Sequence, residues 1–481
     1  MPRHLVPALV LCLGTAGCYS VLPSDGGGQA AFSPPRQVRP ADILLPEGYR
    51  AEAVATGLTF PTGVAFDPAG TPYVTEAGYS YGEVFLTPRL LRIGSGGTAE
   101  VVAEGRNNGP WNGVTWHDGA FYVAEGGELE GGRILRIVPG RPPVALVEDL
   151  PSVGDHHTNG PVVGPDGWLY FGQGTATNSG VVGPDNYDFG WLGRYPDFHD
   201  VPCRDVTLAG VNYGSDNPLT EAADEVVTGA FVPFGTPVEP GRVVRGAVPC
   251  SGAVLRVRPE GGPVELVAWG FRNPFGLAFA PDGTLYLTEN AYDERGSRPV
   301  FGTADHLWRV EPGRWYGWPD FAGGDRLDDP RYASPSRDVP PQPVLARHPG
   351  DPPRPLASFG VHSSSNGLDA APGGFGYPGE VFVAQFGDMA PDVGKVMDPV
   401  GFRVVRADPA TGVVRDFAVN RQGNGPASLL ETGGLERPVA VRFGPDGALY
   451  VVDFGVMLMN ERGPDPQPGT GVLWRIAKQG G

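Results

Sequence analysis

A single hairpin pattern recurs six times along the chain, and no other sequence feature restricts the fold as strongly. In its clearest copy, from Gly276, Leu277 and Phe279 alternate with Ala278. Pro281-Asp282-Gly283 then makes a tight turn, and Leu285-Tyr286-Leu287 runs back to Glu289. The other copies start at Gly63, Gly113, Gly160, Gly367 and Ala440, and their second strands end in Glu76, Glu125, Gln173, Gln385 and Asp453. Third strands follow at 90–93, 134–137, 254–257, 307–310, 402–405 and 473–476, with fourth strands at 99–103, 144–147 and 264–267. Four antiparallel strands per unit make a propeller blade, so the predicted fold is all-β: a six-bladed β-propeller of four-stranded antiparallel blades. The last repeat lacks a fourth strand, and 49–55 is a strand with no hairpin before it. This N-terminal strand is expected to close the ring and remove its exposed edges.

The 74 Gly and 53 Pro of the 481 residues sit in the turns of the repeat and do not mark low complexity. A net charge of −18 argues against nucleic acid as a partner, since its phosphates would be repelled. Residues 1–17 read as a lipoprotein-type signal peptide: an apolar run from Leu5 to Leu13, then Thr15-Ala16-Gly17 before Cys18, which would be lipidated. An ordinary cleaved signal is the other reading. The run is short of the roughly 20 residues a bilayer needs, so membrane contact is expected only through a lipid anchor, in the periplasm or on the outer face of the membrane. Residues 18–41 read as a flexible tether and 42–481 as the propeller, with a large insert at about 176–250. Cys203 and Cys250 are the only cysteines of the folded body and flank that insert, which in an oxidising compartment predicts a disulfide.

Long insertions follow Gln173, Asn290, Gln385 and Asp453, all on one face of the disc, and that is the face expected to carry function. The residues entering each hairpin should approach the ring axis and form a polar funnel whose unusual members are His156, His157, Arg272, Asn273 and His362. His157 reads either as a loop histidine bonded to backbone or as a general base, since imidazole titrates near neutrality. Arg272 reads either as an ion-pair partner or as a stabiliser of developing negative charge. The repeated strand-end acids and amides read most simply as pins for the next loop. Glu289, Asn290 and Asp305, with nearby carbonyls, could suit Ca²⁺, although their spacing matches no compact calcium loop.

Four segments carry a resemblance to a known family: His157-Thr-Asn-Gly-Pro-Val-Val-Gly-Pro-Asp166, Gly270-Phe-Arg-Asn-Pro-Phe-Gly276 with Glu289-Asn290, Asp305-His-Leu with Trp315-Tyr-Gly-Trp-Pro319, and Phe382-Val-Ala-Gln385 with Gly401-Phe-Arg-Val-Val-Arg406. Over residues 42–477 the chain resembles the glucose/sorbosone dehydrogenase family, the soluble pyrroloquinoline-quinone sugar dehydrogenases, which are six-bladed propellers. The resemblance implies an oxidoreductase that takes a sugar or polyol hydroxyl, with His157 as the base and Arg272 and Asn273 at the quinone oxygens. It further implies Ca²⁺ held by Asn290 and the following carbonyls of Ala291 and Tyr292, with Lys395, Arg403 and Arg406 pairing the quinone's carboxylates, a task suited to Arg. The chain departs from the glucose-oxidising members at Gly172-Gln173-Gly174-Thr175, where they carry an acidic residue, and in the insert between the cysteines. That insert would cap the funnel, with Tyr195, Asp197, Phe198 and Asp200 shaping access. A metal-dependent lactonase-like hydrolase and a non-catalytic binding lipoprotein are the alternatives, and the electron acceptor stays open.

Overall fold

A computed structural model describes residues 26–27 and 32–479 of the chain, except positions 223, 336, 338, 461 and 462. The signal segment, Cys18 and most of the N-terminal stretch fall outside the described residues. Six antiparallel sheets form the ring, their strands paired in sequence order as the repeat requires except where N-terminal strands join blades 5 and 6. Blade 1 runs Pro61–Phe66, Pro72–Glu76, Arg89–Ile93 and Ala99–Glu104; blade 4 runs Asn273–Phe279, Leu285–Asn290, Ala304–Arg309 and Ala357–Val361. Blade 6 is completed by Tyr49–Leu58, which pairs along its length with Gly471–Lys478, so the N-terminal strand closes the ring as the repeat predicts. Among the described residues no helix is long and apolar enough to cross a membrane.

The apolar alternation is buried between blades. Leu449, Val451, Trp474 and Ile476 of blade 6 pack on Phe382, Val404 and Phe417 of blade 5 in one cluster. Gly63, Gly113, Gly276 and Gly367, which open four of the hairpins, mark close approaches of neighbouring blades at the axis. A Cβ on Gly63 would lie 2.7 Å from Gly113 Cα, and one on Gly367 2.7 Å from Ala440 Cα, so only the smallest residues fit there.

The repeated strand-end acids prove to be pins. Glu76 accepts from the Thr59 amide and Arg89, Glu125 from Asn108 and the Trp111 indole, and Glu289 from the Arg272 amide and the Trp308 indole. Asp453 accepts from the Glu436 and Arg437 amides and the Trp474 indole. Each acid ties the loop entering its blade to the second strand of the same blade.

One feature differs from the sequence expectation. Ile43–Leu44 adds a fifth strand to blade 5, and Arg36, its side chain only 3% exposed, reaches Asp453 at 2.6 Å and Glu436 at 3.9 Å. The end of the expected flexible tether is therefore packed against blades 5 and 6, because a buried ion pair and a short strand fix it. The loop between the third and fourth strands of blade 4 carries Trp315-Tyr-Gly-Trp-Pro319. Trp315 and Trp318 cluster with Val181 and Phe231 of the large insert, so this motif shoulders the insert.

The insert itself holds short helices at Pro184–Asp188 and Trp191–Arg194 and a hairpin of Asn212–Asp216 and Glu225–Gly229. Cys203 and Cys250 are joined in a disulfide, as the sequence predicts.

Candidate functional site

The insertions enclose three connected spaces on one face of the disc. An outer cavity of about 880 Å³ narrows at Tyr81, Phe189, Arg295 and Asp392 into a chamber of about 120 Å³. The chamber continues past Asn273, Asn290 and Ser364 into an axial space, also about 120 Å³, lined by Thr62, Asn112, His157, Phe275, Asn366 and Val439. These lining positions are the hairpin-entry residues expected to form the funnel.

Arg272 is the hub of the chamber and is 2% exposed. Its backbone is held by the Glu289 pin at 2.6 Å, while its guanidinium donates to Asn178 Oδ1 at 3.0 Å and forms an ion pair with Asp293 at 2.6 Å. Asn178 comes from the insert of blade 3 and Asp293 from the loop after Asn290, so two insertions converge on one side chain. Arg295 extends the network to Asp155 at 2.7 Å and Asp185 at 2.6 Å. Burial alone would raise the Asp293 carboxyl, but Arg272, Arg295 and His362 together hold it below its ordinary value. His362 stands 3.9 Å from Asp293, and both His362 (φ 61°) and Ser364 (φ 48°) occupy the left-handed region. Such backbone costs about 1–3 kcal/mol and persists where the surroundings impose it.

The two adjacent histidines face different ways, as neighbours on an extended chain must. His156 lines the chamber with Arg272, and its Nδ1 lies 3.0 Å from the Thr175 carbonyl. A carbonyl can only accept, so Nδ1 carries the proton and Nε2 keeps its lone pair for the chamber. Burial, then the charges of Arg272 and Arg295, pull the His156 pKa well below the usual value, so the ring is neutral at ordinary pH. His157 lines the axial space, but neither ring nitrogen reaches solvent or makes a well-formed hydrogen bond. Burial lowers its pKa to about 4, opposed by the Ser152 carbonyl, and its Nε2 is 3.7 Å from Glu128.

Glu128 is fully buried, accepts from Trp191 and Arg194 at 2.5 Å each, and is pushed up to about 8 by burial. Gln173, at the departure from the glucose-oxidising members, accepts from the Thr158 hydroxyl and donates to the Pro151 carbonyl.

Asn273 and Asn290 belong to a relay of amides that crosses four blades. Asn112 donates to Asn159 at 3.1 Å, Asn159 to Asn273 at 3.3 Å, Asn273 to Asn290 at 2.9 Å, and Asn290 to the Ser365 carbonyl at 3.0 Å. The relay fixes the orientation of every amide in it.

The expected Ca²⁺ set, Asn290, Ala291, Tyr292 and Asp305, does not fit an ion. Asp305 accepts from the Ala291 amide at 3.0 Å, the Ser365 amide at 2.7 Å and the Ser363 hydroxyl at 2.9 Å. The Tyr292 carbonyl accepts from Thr303, and the Asn290 carbonyl faces Arg272. The Asp305 carboxylate and the Asn290 and Tyr292 carbonyls thus have protein donors, and among the described residues no cluster of three His, Cys, Asp or Glu side chains offers a metal site.

Arg403 and Arg406 also lie away from the chamber. Arg403 bonds Gln385 and Asp416, and Arg406 pairs with Glu380 over the Tyr377 ring, because side chains of a third strand project along the blade faces. Lys395 is half-buried in the loop 386–402, whose Gly394 abuts His362 beside the chamber. The aromatic and acidic stretch before the disulfide loop does not line the cavities. Tyr195 bonds the Leu129 carbonyl, and Asp200 accepts from Ala176 and Thr177.

Sequence reasoning missed Asn178, Asp155, Asp293 and Arg295. Their one signal was proximity, with Asp155 directly before the histidine pair and Asp293 three places after Asn290.

No family model and no curated protein matches the chain. Among solved structures it is similar to the PQQ-bound aldose sugar dehydrogenase of Streptomyces coelicolor, at 17% identity over 90% of this chain and 99% of that one, with a TM-score of 0.51. It is similar to a putative oxidoreductase (glucose dehydrogenase) of Thermus thermophilus, at 20% identity over 89% and 100% of the two chains, TM-score 0.50. The PQQ domain of Coprinopsis cinerea pyranose dehydrogenase matches at 14% identity over 94% and 100%, TM-score 0.54. At these identities the likeness is one of fold.

Proposed function

We propose that this protein is an exported quinone-dependent oxidoreductase that oxidises a hydroxyl of a sugar or polyol, with His156 as the base. The observation that carries the reading is the chamber itself, in which a neutral imidazole anchored at Nδ1 faces the same small space as Arg272. Similarity of fold to PQQ-binding sugar dehydrogenases adds to it.

The donors present fit a flat, oxygen-rich group. Arg272 and Asn273 would meet its carbonyl oxygens, while Arg295 and Lys395, in place of Arg403 and Arg406, would meet its carboxylates. Pyrroloquinoline quinone bound there supplies a two-electron acceptor for the hydride of the carbinol carbon. His156 Nε2 accepts the hydroxyl proton, the Thr175 carbonyl holds the reactive tautomer, and Arg272 stabilises negative charge on oxygen as the proton leaves. Anchoring at Cys18 in the cell envelope belongs to the same reading, supported by the signal-like segment and the disulfide.

Titration of the purified protein with micromolar quinone should give a visible band, and aldoses should then reduce a dye. No band, with folded protein, would overturn the cofactor assignment.

A further inference from the structure

Loop 386–402, between the second and third strands of blade 5, supplies Gly387, Met389, Asp392 and Val393 to the chamber wall. It contains no strand or helix, so its position depends on what it is tied to. The tie is Asp388, 1% exposed, whose carboxylate accepts from the Val400 amide at 2.9 Å, the Ala390 amide at 3.3 Å and the Gly27 amide at 3.2 Å. Two of these donors belong to the loop itself. The third comes from a residue 361 places earlier, in the stretch the sequence marks as a tether.

Gly26 and Gly27 are both buried against that loop. A Cβ on Gly26 would lie 2.6 Å from Ala390 Cβ, and one on Gly27 would lie 2.5 Å from the Phe402 ring. Glycine therefore serves close approach here and not the freedom of a linker. Farther along, Arg36 adds to its ion pairs with Asp453 and Glu436 two bonds at 2.7 Å, to the carbonyls of Gly434 and Thr470. The residue after Glu436 is Arg437, which is fully buried, donates to the Asp388 carbonyl at 2.9 Å and lies over the Phe386 and Phe402 rings. Gly27 and Arg36 thus grip one junction from two sides, the contact between Asp388 of the chamber loop and the chain entering blade 6.

We propose that the N-terminal segment is a strap that sets the position of loop 386–402, with Gly27, Asp388 and Arg437 as positioning residues for the group the chamber binds. That this group is a quinone rests on the proposed function; the strap does not. Burial pushes the Asp388 carboxyl up, and the Gly27 amide is one of the partners that oppose it, with Val400, Arg437 and Ala390. Without that donor the buried carboxylate must draw in water or move, and the loop moves with it. Met389 lines both the chamber and the axial space, and Asp392 stands at the neck, so a shifted loop reshapes both ends of the chamber.

Hydrogen–deuterium exchange on the folded protein without quinone tests the strap. Deleting residues 19–31 removes Gly26 and Gly27 and keeps Arg36 and the Ile43–Leu44 strand. Amides of loop 386–402 should then exchange faster by about tenfold or more, while those of the loop 291–303, across blade 4, keep their rate. Gly27→Leu in the full chain should act alike, because its side chain cannot share space with Phe402. Either change should weaken quinone binding by roughly tenfold at unchanged melting temperature, since a loosened site must be ordered again on binding. Loop exchange that stays the same in the deletion, or that quickens in every loop alike, overturns the proposal. A quinone affinity that survives a loosened loop overturns it too. If the intact chain binds no quinone, the redox reading fails and the exchange comparison alone decides the strap. Quinone that binds equally well to both chains, with loop exchange unaltered, leaves the redox reading standing and removes the strap.

Discussion

On the side of the axis formed by blades 2 to 5, Asn112, Asn159, Asn273 and Asn290 pass hydrogen bonds from blade to blade. On the side formed by blades 6 and 1 the corresponding space is filled by rings. Phe60 stacks on Phe454 at 5.2 Å, and Phe386 meets Phe454 edge-on at 5.3 Å. Even the charged residue there, Arg437, is enclosed by Phe386 and Phe402 and donates to the carbonyl of Asp388 at 2.9 Å. The backbone repeats six times but the lining does not, so the ring supplies rigidity everywhere and chemistry on one side only. The polar side is also where the insertions after Gln173 and Asn290 meet, which is why Arg272 and His156 share a chamber.

Replacing the base should separate the sides most sharply. His156→Ala should lower the steady-state rate by about 10²–10⁴, the worth of a positioned acid–base group, with the fold intact. His157→Ala should leave turnover of the folded protein nearly unchanged; the opposite pattern would move the base to the axial space. Next in size are paired truncations read by denaturant unfolding. Phe60→Ala should cost about 3–5 kcal/mol through the cavity it leaves. Asn159→Ala should cost about 1–3 kcal/mol by orphaning its amide partners. Only the second should alter activity.

The pH dependence has two parts. His156 stays neutral well below its usual pKa of 6.5, so kcat/KM should remain level as pH falls through 6.5. An acid limb centred there would remove His156 from the role. His157 is held at about 4, so in the unfolded chain it binds its proton first. Its contribution to stability is complete above pH 6.5 and is lost as pH falls from there toward 4. His157→Gln should flatten that slope by up to ~1.4 kcal/mol per pH unit. The smallest effect belongs to the residues the family resemblance favoured. Arg403→Ala, which removes a partly exposed ion pair, should change stability by about 0–1 kcal/mol and leave quinone binding unaltered.

The fold was legible because its constraints are local and repeated. Gly63, Gly113 and Gly367 mark close approaches, and the strand from Tyr49 was visibly without a hairpin of its own. The site was legible by position for Arg272, Asn273 and Asn290, which sit at fixed offsets from the repeat. It was not legible for His156 against His157. Alternation says that neighbours diverge, but only the Thr175 carbonyl and the Arg272 network, both distant in sequence, decide which one meets the chamber. Asn178 and Asp293 lie in insertions that obey no repeat, so nothing local marks them. Arg403 and Arg406 show the converse error. A motif can place a residue on the right strand while that strand's pleat sends its side chain to a neighbour.

The pairing of Tyr49–Leu58 with Gly471–Lys478 has a consequence for how the molecule comes into being. The two partners are nearly the whole chain apart, so the loop that joins them carries a large closure entropy, and this contact forms late. Until the C-terminal strand has been made, Tyr49–Leu58 has no edge to join, and blade 6 presents an unpaired one. The joint thus works as a test of completeness: a chain interrupted before residue 471 leaves an open ring, exposed to proteolysis and edge-to-edge aggregation, and only the finished polypeptide locks.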